Sequence, residues 1–549
     1  KESFGEAQKD IEKEIAASNA RGDTRKIWAK DKSAWTGADE DKWLGWIDVV
    51  DRELKDVPNL KTFAAEVEKN KTTDIVLLGM GGSSLGAEVL RETFGYREGW
   101  ARLHVLDSTD PDQIATVEKE IKIGSTLFIV SSKSGSTLEP NILFDYFFEA
   151  AKRNGKQFIA ITDPGSALEK TAKEHGFGHI FYGEPSIGGR YSVLSKFGLV
   201  PAAAKGLDVE RLLTDTQKFV QGCGPLVPAS ANPGARLGIA LGVLANKYKR
   251  DKITILTSQA LSSVGTWLEQ LIAESTGKQG KGLIPVDREP AGPPSSYGDD
   301  RVFVNLRVSG DEDHTDTVGA LEKAGHPTVR ITIGDSYQLG QIFYLCEMAI
   351  AFAGTVLKIN PFDQPDVEAA KVGARKLTDS YEKTGKLDEG TPFWSGDGLA
   401  AYGDGKGSSP GEILKNHLAQ LKAGDYFALL AYVENSEAHD AVLQKIRRKV
   451  RAKFTNATCF EFGPRFLHST GQAYKGGPNS GVFLTLTADH KSDLAVPGRK
   501  ATFGVVEKAQ ALGDFAVLVE RKRRALRIHM NDPDAGLAAL TKAFEEALS

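Results

Sequence analysis

The segment Ser131-Ser-Lys-Ser-Gly-Ser-Thr-Leu-Glu-Pro-Asn141 clusters hydroxyl side chains and Lys133 between an apolar run, Leu127 to Val130, and a helical pattern. Ser136 and Glu139 have the spacing of a capping box, and Pro140 suits a first helical turn. One serine is enough to cap a helix, so Ser132, Ser134 and Thr137 are surplus to that task. Hydroxyl donors around a helix N-terminus suit a phosphate monoester, because free N–H groups and the helix dipole both favour an anion there. A second loop, Gly79-Met-Gly-Gly-Ser-Ser-Leu-Gly86, follows the apolar run Ile75 to Leu78. Its glycines let backbone N–H groups approach an anion closely. A dinucleotide site is the rival reading, and Asp107 stands where a ribose-binding acid would. That fingerprint needs glycine at position 84, and Ser84 is there. Both loops therefore point to a small phosphorylated metabolite.

Three more motifs follow in order: Gly188-Gly-Arg-Tyr-Ser192, Glu274-Ser-Thr-Gly-Lys278 and Phe362-Asp-Gln-Pro-Asp-Val-Glu-Ala-Ala-Lys371. Together they resemble the phosphoglucose isomerase family over residues 73–376. Within it, the chain looks most like the isomerase half of fused transaldolase–phosphoglucose isomerase proteins. The first residue, Lys1, is compatible with a longer polypeptide, and no transaldolase portion is visible. The resemblance implies two SIS-type sugar-phosphate domains and interconversion of glucose 6-phosphate and fructose 6-phosphate, with no metal or redox cofactor. It also implies a homodimer with sites near the subunit interface.

Such an isomerisation needs an acid and a base to open the sugar ring. It also needs a carboxylate to carry a proton between C2 and C1, a cation for the enediolate, and a grip on the phosphate. The resemblance gives the proton transfer to Glu274, whose position after an apolar helix disfavours its charged form and adds basicity. It gives the enediolate to Arg190, a fixed cation aimed at developing charge. Gly82, Ser83, Ser132, Lys133, Ser134 and Thr137 would hold sugar and phosphate. Gln270, Gln364 and Lys371 would contact the sugar, with Lys371 near the ring oxygen.

The sequence departs from the family at two points. The residue before Val367 is usually glycine and here is Asp366; both cap helices well, so the helix bearing Lys371 can still start there. The larger departure is the ring-opening histidine, which in bacterial relatives lies in a His-Ser-x-Gly-Gln segment between the glutamate and lysine motifs. Between Glu274 and Lys371 this chain has only His314 and His326, neither in that setting. Phe466-Leu-His-Ser-Thr-Gly-Gln472 lies downstream instead. His468 is therefore expected to reach the site from the third region of this chain or from a partner subunit.

Several elements must position these residues. Short, nearly continuous apolar runs at Ile75–Leu78, Leu103–Leu106, Leu127–Val130 and Phe158–Ile161 read as buried parallel strands with crossover helices. A helical stretch covers about 190–250. The strand pattern restarts at Ile253–Leu256, Gly282–Pro285, Val302–Leu306 and Val329–Ile333. The expected architecture is α/β, with two doubly wound parallel-sheet domains at 73–230 and 231–394. A helical, Trp-rich segment precedes them at 1–72, and a smaller α/β region follows at 395–549. The glycines between Ser395 and Gly411 suggest a linker. In the last region, Tyr426–Val433, Thr458–Phe462 and Val482–Leu486 are strand candidates.

The 549 residues carry a formal charge of −4, which gives no overall footprint for nucleic acid or anionic membrane. Of two local basic runs, Lys445 to Lys453 alternates with Leu443, Ile446 and Val450 as an amphipathic helix does; the other is Arg521 to Arg527. Three scattered cysteines suit a reducing cytosol, so the expected location is cytoplasmic. No Cys/His/Asp group has metal-ligand spacing. The longest apolar stretch, Phe343 to Leu357, contains Glu347 and is shorter than the roughly 20 residues of a bilayer span. Two alternatives remain: a non-catalytic sugar-phosphate sensor, which needs the hydroxyl loops but not Glu274, Arg190 and Lys371, and an isomerase that also accepts mannose 6-phosphate.

Overall fold

A strand covered by helices on both faces has no polar side to display, so the continuous apolar runs after Thr73 become buried strands. A computed structural model describes residues 1–311 and 314–549. After a two-residue strand, β1 (Glu2–Ser3), the first sheet comprises β2 (Asp74–Leu78), β3 (Arg102–Leu106), β4 (Thr126–Ser131), β5 (Phe158–Thr162) and β6 (His179–Tyr182). All five are parallel, in the order β3-β2-β4-β5-β6. The winding reverses between β2 and β4, so the two phosphate-loop candidates leave neighbouring strand ends at the switch point. Open α/β sheets bind ligands at such places.

The second sheet comprises β7 (Lys252–Thr257), β8 (Ile284–Val286), β9 (Arg301–Val308) and β10 (Thr328–Ile333), parallel and in the order β10-β9-β7-β8. β1 adds an antiparallel edge, with Glu2 opposite Val329. The N-terminal segment is otherwise helical, at Gln8–Arg21, Asp23–Trp28 and Val49–Lys69. The helical stretch expected over about 190–250 is three helices: Lys196–Ala204, Val209–Gln221 and Pro233–Tyr248. One continuous apolar core joins the N-terminal segment to both sheets, running from Phe4 and Trp46 through Ile75 and Trp267 to Phe343 and Phe362. The apolar helix Leu339–Leu357 lies inside this core. By length and composition it passes for a membrane span, but it is packed within the protein.

The third region is a six-stranded sheet in the order β11-β12-β16-β15-β13-β14. Its strands are β11 (Trp394–Gly396), β12 (Leu399–Gly403), β13 (Tyr426–Tyr432), β14 (Ala457–Phe462), β15 (Gly481–Ala488) and β16 (Arg524–Met530). The linker expected over Ser395 to Gly411 is largely a hairpin. Asp397 and Gly398 both have positive φ (52° and 74°), the two-residue turn that matches strand twist, and β12 then pairs antiparallel with β16. The basic run at Lys445 to Lys453 lies on the helix Glu437–Phe454, whose Leu443, Ile446 and Val450 are buried. The run at Arg521 to Arg527 is different: it leads into β16, and Arg527 is buried with its guanidinium 3.6 Å from the Tyr402 ring centre.

The third region has its own core around Leu429, Leu484 and Phe544. Two further apolar clusters weld it to the rest. One joins Val76 and Phe128 of the first sheet to Phe503 and Val506. The other joins Ile284 of the second sheet to Tyr426, Phe466 and Tyr474.

Candidate active site

The loop after β2 forms a short 3-10 turn, Gly81–Ser83, before the helix Leu85–Phe94. A Cβ on Gly82 would lie 2.1 Å from the Gly189 carbonyl oxygen, so glycine is required for this loop to meet the Gly188–Ser192 turn backbone to backbone. Ser84 faces inward and donates to Asp107 Oδ2 at 2.8 Å. Asp107 also accepts from Arg465 Nε at 3.0 Å, so the carboxylate in the ribose-partner position is already engaged.

The loop after β4 departs from the capping-box expectation. The helix starts at Leu138 with Thr137 at the N-cap, and no side chain caps it. Ser136 Oγ instead pairs with Ser134 Oγ at 2.8 Å, and the Glu139 carboxylate turns inward. Both partners of the box are thus diverted, and the first-turn N–H groups face the loop without a side-chain cap. Ser132 Oγ accepts from Gly135 N at 3.1 Å and shapes the loop from beneath. Lys133 does not reach outward. It ion-pairs with Asp163 and donates to the Glu184 and Pro185 carbonyls at 3.3 and 3.1 Å, so its charge fastens the loop to the neighbouring strand end.

Arg190 is 3% exposed and held from three sides. Its Nε donates to Ser275 Oγ at 2.7 Å, Nη1 to Gln364 Oε1 at 2.9 Å, and Nη2 to the Pro361 and Asp363 carbonyls at 2.7 and 3.0 Å. The planar fork is therefore fixed before any ligand arrives. Glu274 occupies the last turn of the helix Val264–Thr276, with Oε1 3.5 Å from Arg190 Nη1. Its Oε2 is buried and has no hydrogen-bond partner among the described residues. Behind this pair, Trp46 stacks on Tyr191 with ring centres 5.2 Å apart. Lys278 is almost fully buried and donates to the Asn360 carbonyl at 2.8 Å and to Asp363 Oδ1 at 2.6 Å. Burial, reinforced by the Arg190 charge, pulls its pKa down to about 8.

His468 comes from the third region of the same chain. It ends the short turn Arg465–His468, which packs on the Gly81–Ser83 turn; a Cβ on Gly81 would lie 3.0 Å from the His468 carbonyl. His468 Nε2 is 2.9 Å from Glu139 Oε1. Gln510 Nε2 also donates to Glu139 Oε1 at 2.6 Å, and Gln510 Oε1 accepts from Thr109 at 2.7 Å. Burial pushes the Glu139 pKa up, but the charge and hydrogen bond of His468, with a smaller effect from Lys371, leave it below the ordinary carboxylate value. Gln270, expected to contact sugar, donates to the His468 carbonyl at 2.7 Å and positions the histidine's backbone.

Lys371 lies on the helix Val367–Thr384. Asp366 holds the N-cap position of that helix, but its carboxylate does not cap. It pairs with Arg521 and accepts from Gln472 Nε2 at 2.7 Å, while Gln472 Oε1 accepts from Asp366 N at 2.9 Å. Asp366 is thus an anchor between the lysine helix and the histidine segment.

The structure gathers Gly82, Arg190, Gln270, Glu274, Gln364 and His468 through direct contacts and puts Lys371 within electrostatic reach of Glu139. Ser83, Ser132, Ser134 and Thr137 line the adjoining strand ends. Sequence reasoning missed three partners. Glu139 was hidden because a capping box already accounted for it. Lys278 stood within a quoted motif but drew no role. Gln510 has no local signal at all.

A family profile, Phosphoglucose isomerase, matches residues 53–284. The glucose-6-phosphate isomerase of Rubrobacter xylanophilus is 31% identical over 365 residues, covering 56% of this chain and 83% of that protein. A probable glucose-6-phosphate isomerase of Methanococcus maripaludis is 27% identical over 371 residues, covering 60% and 82%. Among solved structures, a hypothetical protein of Thermus thermophilus aligns with a TM-score of 0.58 at 24% identity, over 68% of this chain and 99% of that one. A glucose-6-phosphate isomerase of Chlamydia trachomatis aligns with a TM-score of 0.52 at 19% identity, over 67% and 79%. These two likenesses are of fold, whereas the profile and the Rubrobacter relative carry descent: the chain belongs to the phosphoglucose isomerase family.

Proposed function

We propose that this chain interconverts glucose 6-phosphate and fructose 6-phosphate through an enediolate, with Glu274 as the proton carrier. The observation that carries this reading is the buried, unpartnered Glu274 Oε2 beside the fixed Arg190 guanidinium. A buried acceptor without a partner costs free energy. Here it supplies a base that awaits a proton from the substrate.

The phosphate docks on the uncapped first turn after Thr137, with the Ser134 and Thr137 hydroxyls as further donors. Lys371 gives a proton to the ring oxygen as the C1–O5 bond breaks. His468 takes the proton from the anomeric hydroxyl. Because Glu139 engages Nε2, Nδ1 is the ring nitrogen left for that exchange. Glu274 then removes the C2 proton, and the C–H electrons form the C1–C2 double bond. Negative charge builds on the sugar oxygens, where Arg190 is already in place and needs no reorganisation. A proton passes from O2 to O1, Glu274 returns the carbon-bound proton to C1, and the O2 electrons form the C2 carbonyl, leaving the ketose.

Purified protein is expected to interconvert the two hexose phosphates, and Glu274→Gln to lower kcat by about 10²- to 10⁴-fold with substrate still bound. Full activity in Glu274→Gln ends the mechanism. Absence of turnover in the unaltered chain leaves a binding module.

A further inference from the structure

The first sheet carries its phosphate loops where the winding reverses. The third sheet has the same kind of reversal, between β13 and β15, and nothing in the isomerase reaction uses it. A cavity of about 200 Å³ opens there, lined by Val433 and Glu434 after β13 and by Ala488, Asp489 and His490 at the end of β15. The first domain closes it from the other side with Asp110 and Asp112.

We infer that this crevice is a divalent cation site formed by Asp110, Asp112 and His490. One donor atom from each residue lies within 4.8 Å of the others. Asp110 is fully buried, and its two oxygens have separate tasks. Oδ1 accepts from Gln113 N at 2.8 Å and caps the helix Pro111–Glu120. Oδ2 has no hydrogen-bond partner among the described residues and points at His490 Nδ1, 3.8 Å away. Asp112 Oδ2 approaches the same nitrogen at 3.6 Å.

The other ring nitrogen of His490 is 2.9 Å from Glu507 Oε2. A carboxylate that accepts from one ring N–H fixes the tautomer and leaves the opposite nitrogen as a metal ligand, the usual second partner of a metal-bound histidine. An ion that displaces the Nδ1 proton would meet two carboxylates and one imidazole, a set whose charge matches a divalent cation. Oxygen ligands with a single imidazole suit Mn2+ or Zn2+. Bonds of roughly 2.0–2.2 Å set adjacent ligand atoms about 3 Å apart, so binding draws the three side chains inward. The ligands come from the first domain and the third region, so the ion would tie these two parts together. His490 is far along the chain from Asp110 and Asp112, which is why no ligand spacing showed in the sequence.

The test uses the full chain, stripped with a chelator and then titrated with MnCl2 or ZnCl2 alone. Equilibrium dialysis with metal analysis counts bound ions, and thermal unfolding with and without the metal reports coupling to the fold. The expected result is one saturable Mn2+ or Zn2+ per chain and a raised unfolding midpoint. In Asp112→Asn, a half-buried position on a helix first turn, affinity should fall at least about tenfold and the rise should disappear. His490→Gln should do the same. Comparable metal-free midpoints in the variants establish that they are folded. No saturable binding by the unaltered chain overturns the inference, as does undiminished binding in Asp112→Asn, which would locate the ion on other histidines.

Discussion

His468 Nε2 and Glu139 Oε1 lie 2.9 Å apart, joining the turn after β14 to the first helix turn after β4. One contact thereby couples the proposed ring-opening residue to the helix whose N-terminus is proposed to receive the phosphate. Glu139→Gln keeps the size but loses the charge that orients the imidazole. It should lower kcat about 10- to 100-fold with KM nearly unchanged. His468→Ala should lower turnover further. Unchanged turnover of cyclic glucose 6-phosphate by His468→Ala would remove the histidine from the mechanism.

The closeness of Gly82 to Gly189 allows a steric test. Gly82→Ala puts a methyl carbon 2.1 Å from a carbonyl oxygen, so the loops must part. Overpacking of this kind costs about 1–3 kcal/mol. The displaced turn carries Arg190, so kcat should fall together with the unfolding midpoint. Wild-type kinetics in this variant would show that the two loops act independently.

Lys278 gives the pH dependence a sign. Its pKa in the folded chain is about 8, against 10.5 for the free side chain. Between these values the unfolded chain holds more protons than the folded one, so stability rises with pH across that window and the cost of the buried charge is fully present below it. Activity should run the other way. As Lys278 loses its proton, its grip on the Asn360 and Asp363 carbonyls weakens, and that segment holds Arg190. An alkaline limb in kcat/KM near pH 8 is expected, displaced upward in Lys278→Arg. A limb that stays in place assigns it to another group.

The two phosphate-loop positions Thr137 and Lys133 should separate binding from folding. Thr137→Val removes one donor to a dianion, worth about 1.5–3 kcal/mol, so KM should rise roughly tenfold or more with kcat unchanged. Lys133→Met should behave differently. Its ion pair with Asp163 is internal, so a lowered unfolding midpoint should precede any change in KM. A pure KM effect in Lys133→Met would mean that the lysine swings out to meet substrate.

Much of the fold was legible because buried strands advertise themselves. The apolar runs near 75, 103, 127 and 158 match β2 to β5 within a residue or two. β6 was missed because it is a half-exposed edge strand. β16 was missed because its start was noted only as a local basic run, Arg521 to Arg527, although Arg527 is buried against Tyr402. The Asp397-Gly398 turn was visible in principle, but the glycines around it suggested a linker. In the site, short motifs exposed Arg190 and Glu274 because several unusual residues share one turn. The Glu139–His468 contact could not be read this way, since it depends on how the third sheet docks. The inward turn of Glu139 and the Asp366–Arg521 pair are tertiary facts with no periodicity to betray them.

The placement of His468 bears on when the protein becomes competent during its synthesis. Ribosomes deliver Ser132, Arg190, Glu274 and Lys371 in that order, and His468 emerges after all of them. Even then its turn rests on β14, and the Glu139 carboxylate that it meets is held by Gln510, on a helix made later still. With the roles proposed above, a nascent chain would assemble its phosphate cradle and its base while still lacking a way to open a sugar ring. On the proposed mechanism, turnover begins only when the third sheet closes over the earlier two, so activity itself reports completed folding.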